Sequence, residues 1–285
     1  MRICLIGGLG NQLFQVAQGL AIEKFRGCRV FFDSVLLSHP AQTRDLAVSD
    51  LIPNQLITSS IRMTKSLAAT GIFPFNPFVR VMRDTRSVTH VINVDRVRIL
   101  VGYFQDINLV DSVKDMILER FQKSTSFSSF ANDNVVEQIG VHVRLGDYVS
   151  DPSARQLHGL SDLGYYLRAA ERLRDDSGIR TIQIVSDNPE IAESLIAEKL
   201  RRRNFKVHIR GGSRTAKQDL AILANSTHVI CANSTFSWWA GWMASHRHNA
   251  VVVVPSPWFS EASNAESLLF DPQWTVIERE IDKLW

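Results

Sequence analysis

The chain has 285 residues, 45% of them hydrophobic, and a net charge of +3 from 32 Lys and Arg against 29 Asp and Glu. So even a balance excludes a general nucleic-acid binder, which needs a clear basic excess, while leaving room for a local anion site. Cys4, Cys28 and Cys231 form no CxxC pair, which argues against a zinc knuckle or a disulfide framework. The length allows one large domain or two of about 140 residues. No apolar stretch is long enough to span a bilayer and no signal peptide precedes the first strand, so the expected location is the cytoplasm.

The first predicted strand is Arg2–Ile6. GGLGNQLFQ, Gly7 to Gln15, follows it, and helical spacing runs over Asn11–Phe25. A dinucleotide loop needs a third glycine where Leu13 stands, and a Walker A loop needs Gly-Lys-Ser/Thr. Two readings stay open. One is a tight turn with Asn11 capping the helix. The other is a ligand loop in which the amides of Asn11 and Gln12 meet a polyhydroxyl ligand.

Further strands are expected at Cys28–Asp33 and Ile99–Phe104. Between them the stretch Thr58–Arg86 reads as irregular. It mixes Arg62, Lys65, Arg80, Arg83 and Arg86 with Phe73, Phe75 and Phe78. That composition suits peripheral contact with an anionic membrane, through a loop because Pro74 and Pro77 bar a continuous helix. Core phenylalanines with a solvated basic face are the alternative. Gln122–Asn134 is rich in Ser and Asn and reads as a linker, which places domains at 1–134 and 135–285.

The second half alternates most regularly. Strands are predicted at Ile139–Val143, Thr181–Ser186, Lys206–Ile209, His228–Cys231 and Ala250–Pro255, with helices at Leu163–Arg174, Glu190–Arg203 and Gln218–Asn225. Such alternation means α/β layers on a parallel sheet. Three motifs fall at strand carboxyl ends, where open α/β sheets bind ligands. Gly140–Val149 carries His142, Arg144 and Asp147; in Ile184–Asn188 the apparent strand ends on Asp187; Ala232–Trp242 carries Asn233, Ser234 and Thr235 near its start. An arginine fork matches phosphate, and a helix start offers N–H donors to it. The competing readings are an Arg144–Asp147 ion pair, and a helix cap followed by packed tryptophans. Asp219 complements a helix dipole or accepts from a guanine N–H. No metal is expected, since neither an Asp-x-Asp pair nor a His/Cys cluster occurs.

GGLGNQLFQ, HVRLGDYV, HGL at His158–Leu160, VSDN and ANSTFSWW, in this order, resemble the family-11 glycosyltransferases. VGYFQD at Val101–Asp106 resembles the family too, and the likeness runs from Gly7 to about Pro257. It implies inverting α-1,2-fucosyl transfer from GDP-fucose to the 2-hydroxyl of a terminal galactose, in surface polysaccharide or O-antigen synthesis. Alternatives are another linkage, another GDP-sugar, or a nucleotide-sugar-binding protein without catalysis. It also implies a GT-B-like α/β architecture, two Rossmann-like domains facing across a cleft. The amino-terminal domain would meet a galactose-containing oligosaccharide, lipid-linked at a membrane, and the carboxyl-terminal domain would hold GDP-fucose. No other cofactor is implied.

By the same resemblance the donor set is Gly8, Gly10, His142, Arg144, Asp187, Asp219, Asn233, Ser234, Thr235 and Phe236. Arg144 would hold the diphosphate, His142 and Asp219 would lie at the guanosine, Ser234 and Thr235 at the phosphates, and Asn11 would reach the fucose or the glycosidic oxygen. Asp147 and His158 are the base candidates, joining Asn11 and Arg144 as catalytic residues. Two positions depart from many relatives: Leu145 stands in place of a second arginine, and Asn188 in place of a second aspartate.

Overall fold

The computed structural model describes residues 1–38, 43–57, 80–83, 97–127, 134–145, 161–209, 215–259 and 268–280. The chain divides into two units, Met1–Ser128 and Ser129–Trp285.

Unit 1 contains β1 (Arg2–Cys4), α1 (Leu9–Arg26), β2 (Phe31–Asp33), β3 (Leu56–Ile57), β4 (Arg80–Arg83), β5 (Val97–Val101), α2 (Ile107–Ser112) and α3 (Lys114–Lys123). Its strands form one sheet in the order β3-β2-β1-β5-β4, every pair parallel. From β1 the chain steps outward through β2 and β3, then returns on the other side through β4 and β5. The order therefore reverses between β1 and β5, and the carboxyl ends of those strands form the crevice of this sheet.

Side chains, not only strand pairing, end these strands. β1 stops at Cys4 rather than Ile6 because the Gln15 amide takes both backbone groups of Ile6. β2 starts at Phe31 rather than Cys28, since the Val30 N–H donates to the Glu23 carboxylate. β5 ends at Val101 rather than Phe104, whose φ of 52° leaves the extended region. β4 falls inside the stretch expected to be irregular, and β3 is a two-residue edge strand; neither was expected from sequence. Of the basic and aromatic residues offered for membrane contact, Arg80 and Arg83 lie in β4 and the others lie outside the described residues.

The division between the units falls within the expected linker Gln122–Asn134, whose first residues are packed. Ser124 and Ser126 both donate to the Asp50 carboxylate, and the Phe127 ring, fully buried, meets Phe121 edge-on at 4.9 Å. Residues 124–127 are thus packed onto unit 1.

Unit 2 contains β6 (Val136–Val143), α4 (Leu163–Ser177), β7 (Thr181–Ser186), α5 (Pro189–Ala192), a π turn (Glu193–Ala197), α6 (Glu198–Arg202), β8 (Lys206–Ile209), α7 (Ala216–Ala224), β9 (Ser226–Ile230), α8 (Thr235–His248), β10 (Val251–Ser256) and β11 (Thr275–Glu278). The sheet order is β11-β10-β9-β6-β7-β8, again wholly parallel. β6 to β8 wind outward one way and β9 to β11 the other, so the order reverses between β6 and β9.

Strand alternation builds the core. Ile139, Val141, Val143 and Leu145 face the cluster containing Tyr165, Ala169, Ile182, Ile184, Ile196 and Leu200. Burying each large aliphatic side chain contributes about 1.5–3 kcal/mol. Trp238, Trp239 and Trp242 in α8 are fully covered, the middle one meeting both others edge-on at 5.3 Å between ring centroids. They are packing, and they anchor the helix whose first turn lies at the end of β9. β11 was not expected from sequence; its exposed Val276 and Glu278 give it little hydrophobic signal. Among the described residues no helix is long and apolar enough to cross a membrane.

Candidate active site

At the reversal point of unit 2, β6 delivers His142, Arg144 and Leu145, and β9 leads through Asn233 and Ser234 into α8. Arg144 points to the surface because Val143 and Leu145 on either side are core residues. Its Nη1 lies 2.7 Å from Asp187 Oδ2, and the Asp187 Oδ1 accepts from the Leu145 backbone N–H at 2.9 Å. Asp187, beyond the end of β7, thus orients the Arg144 guanidinium and fastens the chain behind it. Both side chains remain part-exposed, at 27% and 23%, so the pair itself adds little stability. Its effect is to fix the guanidinium in place at the end of β6.

His142 sits behind that fork, 4% exposed, with its ring 5.0 Å from the Phe236 ring. Burial, aided by the charge of Arg144, lowers its pKa to about 3. It is therefore a neutral imidazole at physiological pH, set between the arginine and the start of α8. Its Nδ1 is buried and has no hydrogen-bond partner among the described residues.

Ser234 caps α8, its hydroxyl accepting from the Phe236 N–H. Ser234, Thr235 and Phe236 are half-buried, while the next residues are core. The helix runs for 14 residues, and its first-turn N–H groups point out at the carboxyl edge of the sheet, an arrangement that favours anions. Asn233 is covered and braces the turn, its amide oxygen accepting from Ser161 at 3.3 Å and its nitrogen donating to the Trp258 carbonyl at 3.4 Å. Arg279, beyond β11, holds the segment that Asn233 contacts, donating to the carbonyls of Pro257 at 2.6 Å and Trp258 at 3.2 Å. Ser161, Trp258 and Arg279 were not singled out in the sequence, where nothing distinguishes a buried brace from a surface residue.

Asp219 lies in the first turn of α7, half-buried, behind a capping box formed by Thr215 and Gln218. Leu145 is 1% exposed, so the position that departs from many relatives is a core position here. Asn188 accepts from the Ile191 N–H and caps α5, a task an aspartate would perform equally. Asp147 and His158 lie outside the described residues.

In unit 1 the opening motif separates into scaffold and surface. Gly8, not Asn11, is the N-cap of α1. Gln12 and Gln15 are fully buried. The Gln12 amide donates to the carbonyls of Gly7 at 3.0 Å and Asp45 at 2.8 Å and accepts from the Ala47 N–H. Gln15 clasps Ile6 and donates to the Gly102 carbonyl at 2.9 Å, tying the ends of β1 and β5 together. Gly7 must be glycine, since its φ is +75° and a Cβ would stand 2.4 Å from the Asn11 amide nitrogen. Gly8 differs: it is exposed, and a Cβ there meets nothing within 4 Å. Gly10 is buried in the first turn.

Asn11 stays part-exposed, its Oδ1 accepting from the Gln105 amide at 3.3 Å. Gln105 follows Phe104, which is buried and holds a left-handed conformation. That geometry costs about 1–2 kcal/mol for a residue with a Cβ.

Among the described residues no group of three His, Cys, Asp or Glu side chains is placed to hold a metal ion.

The sequence profile of glycosyl transferase family 11 matches residues 1–278. The chain is 28% identical to the O-antigen biosynthesis glycosyltransferase WbnK of Escherichia coli, over 96% of this chain and 99% of that one. It is 26% identical to an alpha-1,2-colitosyltransferase of the same organism, over 96% and 98%. Galactoside alpha-(1,2)-fucosyltransferase 1 of Leontopithecus chrysomelas is 24% identical over 98% of this chain and 75% of its own length. Among solved structures, the E. coli heptosyltransferase WaaC with ADP superposes with a TM-score of 0.48 at 12% identity, over 98% and 93%. That likeness is loose, and the α/β assignment stands on the two parallel sheets themselves. With the profile spanning nearly every residue, the chain belongs to glycosyl transferase family 11 and is a glycosyltransferase.

Proposed function

We propose that the enzyme transfers L-fucose from GDP-fucose to the 2-hydroxyl of a terminal galactose with inversion, in O-antigen or related surface polysaccharide synthesis. The observation that carries this reading is the Arg144 fork, fixed by Asp187 at the reversal point of unit 2 beside the first turn of α8. Arg144 and the N–H groups and hydroxyls of Ser234 and Thr235 take the diphosphate, and Asp219 takes the guanine edge. Unit 1 takes the acceptor, with Asn11 at the sugar.

Direct displacement then runs as follows. The galactose 2-hydroxyl attacks the anomeric carbon from the face opposite GDP. The C–O bond to the diphosphate breaks, and negative charge grows on GDP as it leaves. Donors already aimed at that charge lower the barrier, each worth roughly 3–4 kcal/mol when removed singly. Arg144 supplies this charge stabilisation, so the reading assigns no metal. An oxocarbenium-like transition state lessens the demand on a base. Asp147 and His158 are the residues assigned to accept the hydroxyl proton.

A second reading follows from the related colitosyltransferase. Colitose is fucose without its 3-hydroxyl, so one donor site accommodates either sugar unless a side chain reads that hydroxyl. The test is GDP release with methyl β-D-galactopyranoside as acceptor and GDP-fucose, GDP-colitose or GDP-mannose as donor. Faster release from GDP-fucose than from the other two supports the first reading. Preference for GDP-colitose selects the second, and absence of release from all three rejects both.

A further inference from the structure

We propose that Tyr103, Gln105, Asn11 and Gly8 form a seat for one pyranose ring of the acceptor, with Tyr103 as its stacking platform. The proposal deepens the functional reading above, on which it rests for the assignment of unit 1 to the acceptor. All four residues stand at the carboxyl ends of β1 and β5, where the strand order of this sheet reverses. Open α/β sheets bind ligands at such a point.

Four observations converge on it. Tyr103 is 42% exposed although it stands between the buried residues Gly102 and Phe104. Phe104 is fully covered, and its φ of 52° turns the chain so that Tyr103 and Gln105 both reach the surface while its own ring stays in the core. Strained backbone held by a buried anchor marks a place where side-chain direction matters. The amides of Gln105 and Asn11, part-exposed and bonded to each other, together carry the mixed donor and acceptor set that sugar hydroxyls require. Gly8 leaves open space over the first turn of α1, because no protein atom lies within 4 Å of where its Cβ would be. Its φ of −78° suits any residue, so neither the backbone nor the packing of the free protein calls for glycine there. A ring lying close over that turn would.

The chemistry selects the ligand class. A pyranose presents one face of C–H groups and a rim of hydroxyls. An aromatic ring takes the first, with the flat contact area and low entropy cost of tyrosine; amides take the second. Galactose suits this division, since its axial 4-hydroxyl leaves the opposite face apolar.

The test uses the full-length protein and two probes, methyl β-D-galactopyranoside and methyl β-D-glucopyranoside, titrated by saturation-transfer NMR. Tyr103→Phe keeps the stacking ring and should bind within about twofold of wild type. Tyr103→Ala should weaken binding about three- to tenfold, the worth of one aromatic contact. Gly8→Ala, which fits the free protein, should weaken it as well. Calorimetric GDP affinity should be unchanged in both Tyr103 variants. Binding unaltered by Tyr103→Ala, equal losses in the Phe and Ala variants, or no contact of either glycoside with the wild type would each overturn the proposal. Absent GDP binding strikes the functional reading instead and is read in the separate titration.

Discussion

Arg144 is held by a carboxylate that also holds the chain behind it: Asp187 pairs with the guanidinium through Oδ2 and accepts the Leu145 N–H through Oδ1. One side chain just beyond β7 thus fixes both the guanidinium and the backbone beside it at the end of β6. Charge alone would not need such an arrangement; a directed fork does.

Arg144→Lys should therefore cost nearly as much activity as Arg144→Ala, since an ammonium is a point charge without the planar pair of donors. The expected loss in kcat/KM is at least about tenfold, equivalent to about 1.4 kcal/mol. Wild-type turnover in the Lys variant would remove Arg144 from the diphosphate.

Asp187→Asn keeps an acceptor for Leu145 but removes the ion pair. Because the pair is part-exposed, the melting free energy should change by less than about 1 kcal/mol. Activity should fall far more, by about tenfold, as Arg144 loses its orientation. Steady-state kinetics beside urea unfolding separates the two effects. Activity falling only in step with stability would leave Asp187 a purely structural residue.

His142 links acid stability to the same spot. Its pKa falls from 6.5 to about 3 on folding, through burial first and the charge of Arg144 second. The unfolded chain therefore binds a proton that the folded chain refuses. The stabilising contribution is complete above pH 6.5 and is lost as pH falls toward 3. Between pH 7.5 and 5 the wild type should lose about 2 kcal/mol more than His142→Leu in urea unfolding. Parallel losses in the two proteins would show that His142 is solvated.

The opening motif shows how far the sequence carries. Strand, glycine turn and helix were legible in GGLGNQLFQ because periodicity and glycine both act locally. What the amides do was not, since Gln12 and Gln15 bond to Asp45, Ala47 and Gly102, distant in sequence. Only the fold separates them from Asn11, which keeps its place at the surface. The strands β7 and β8 of unit 2 were legible to the residue for the same local reason, although β8 lies at a sheet edge. The edge strands β3 and β11 were not, because neither holds a fully buried residue and both carry little pattern. Arg144 and Ser234 were legible as candidates because strand ends and helix starts can be read in sequence. Asp187 as the partner of Arg144, and Arg279 as the brace of the Pro257–Trp258 backbone, depend on β7 lying beside β6 and β11 beside β10.

That division gives a paired prediction. Gln15→Ala deletes three hydrogen bonds and strands the backbone groups of Ile6, so it should destabilise unit 1 by about 2–4 kcal/mol. Asn11→Ala should leave the melting temperature almost unchanged yet lower turnover at least about tenfold, with GDP affinity intact. Thermal unfolding, calorimetry and kinetics on the two variants check this. If Asn11→Ala weakens GDP binding as much as turnover, the residue belongs to the donor site.

The central claim is inverting transfer of fucose to a galactose 2-hydroxyl, and NMR of the isolated product tests it most directly. With GDP-fucose and methyl β-D-galactopyranoside, the product should show a single α-fucosyl anomeric proton with a through-bond correlation to galactose C2. A β-fucoside, a correlation to any other galactose carbon, or no fucosylated product would contradict the account.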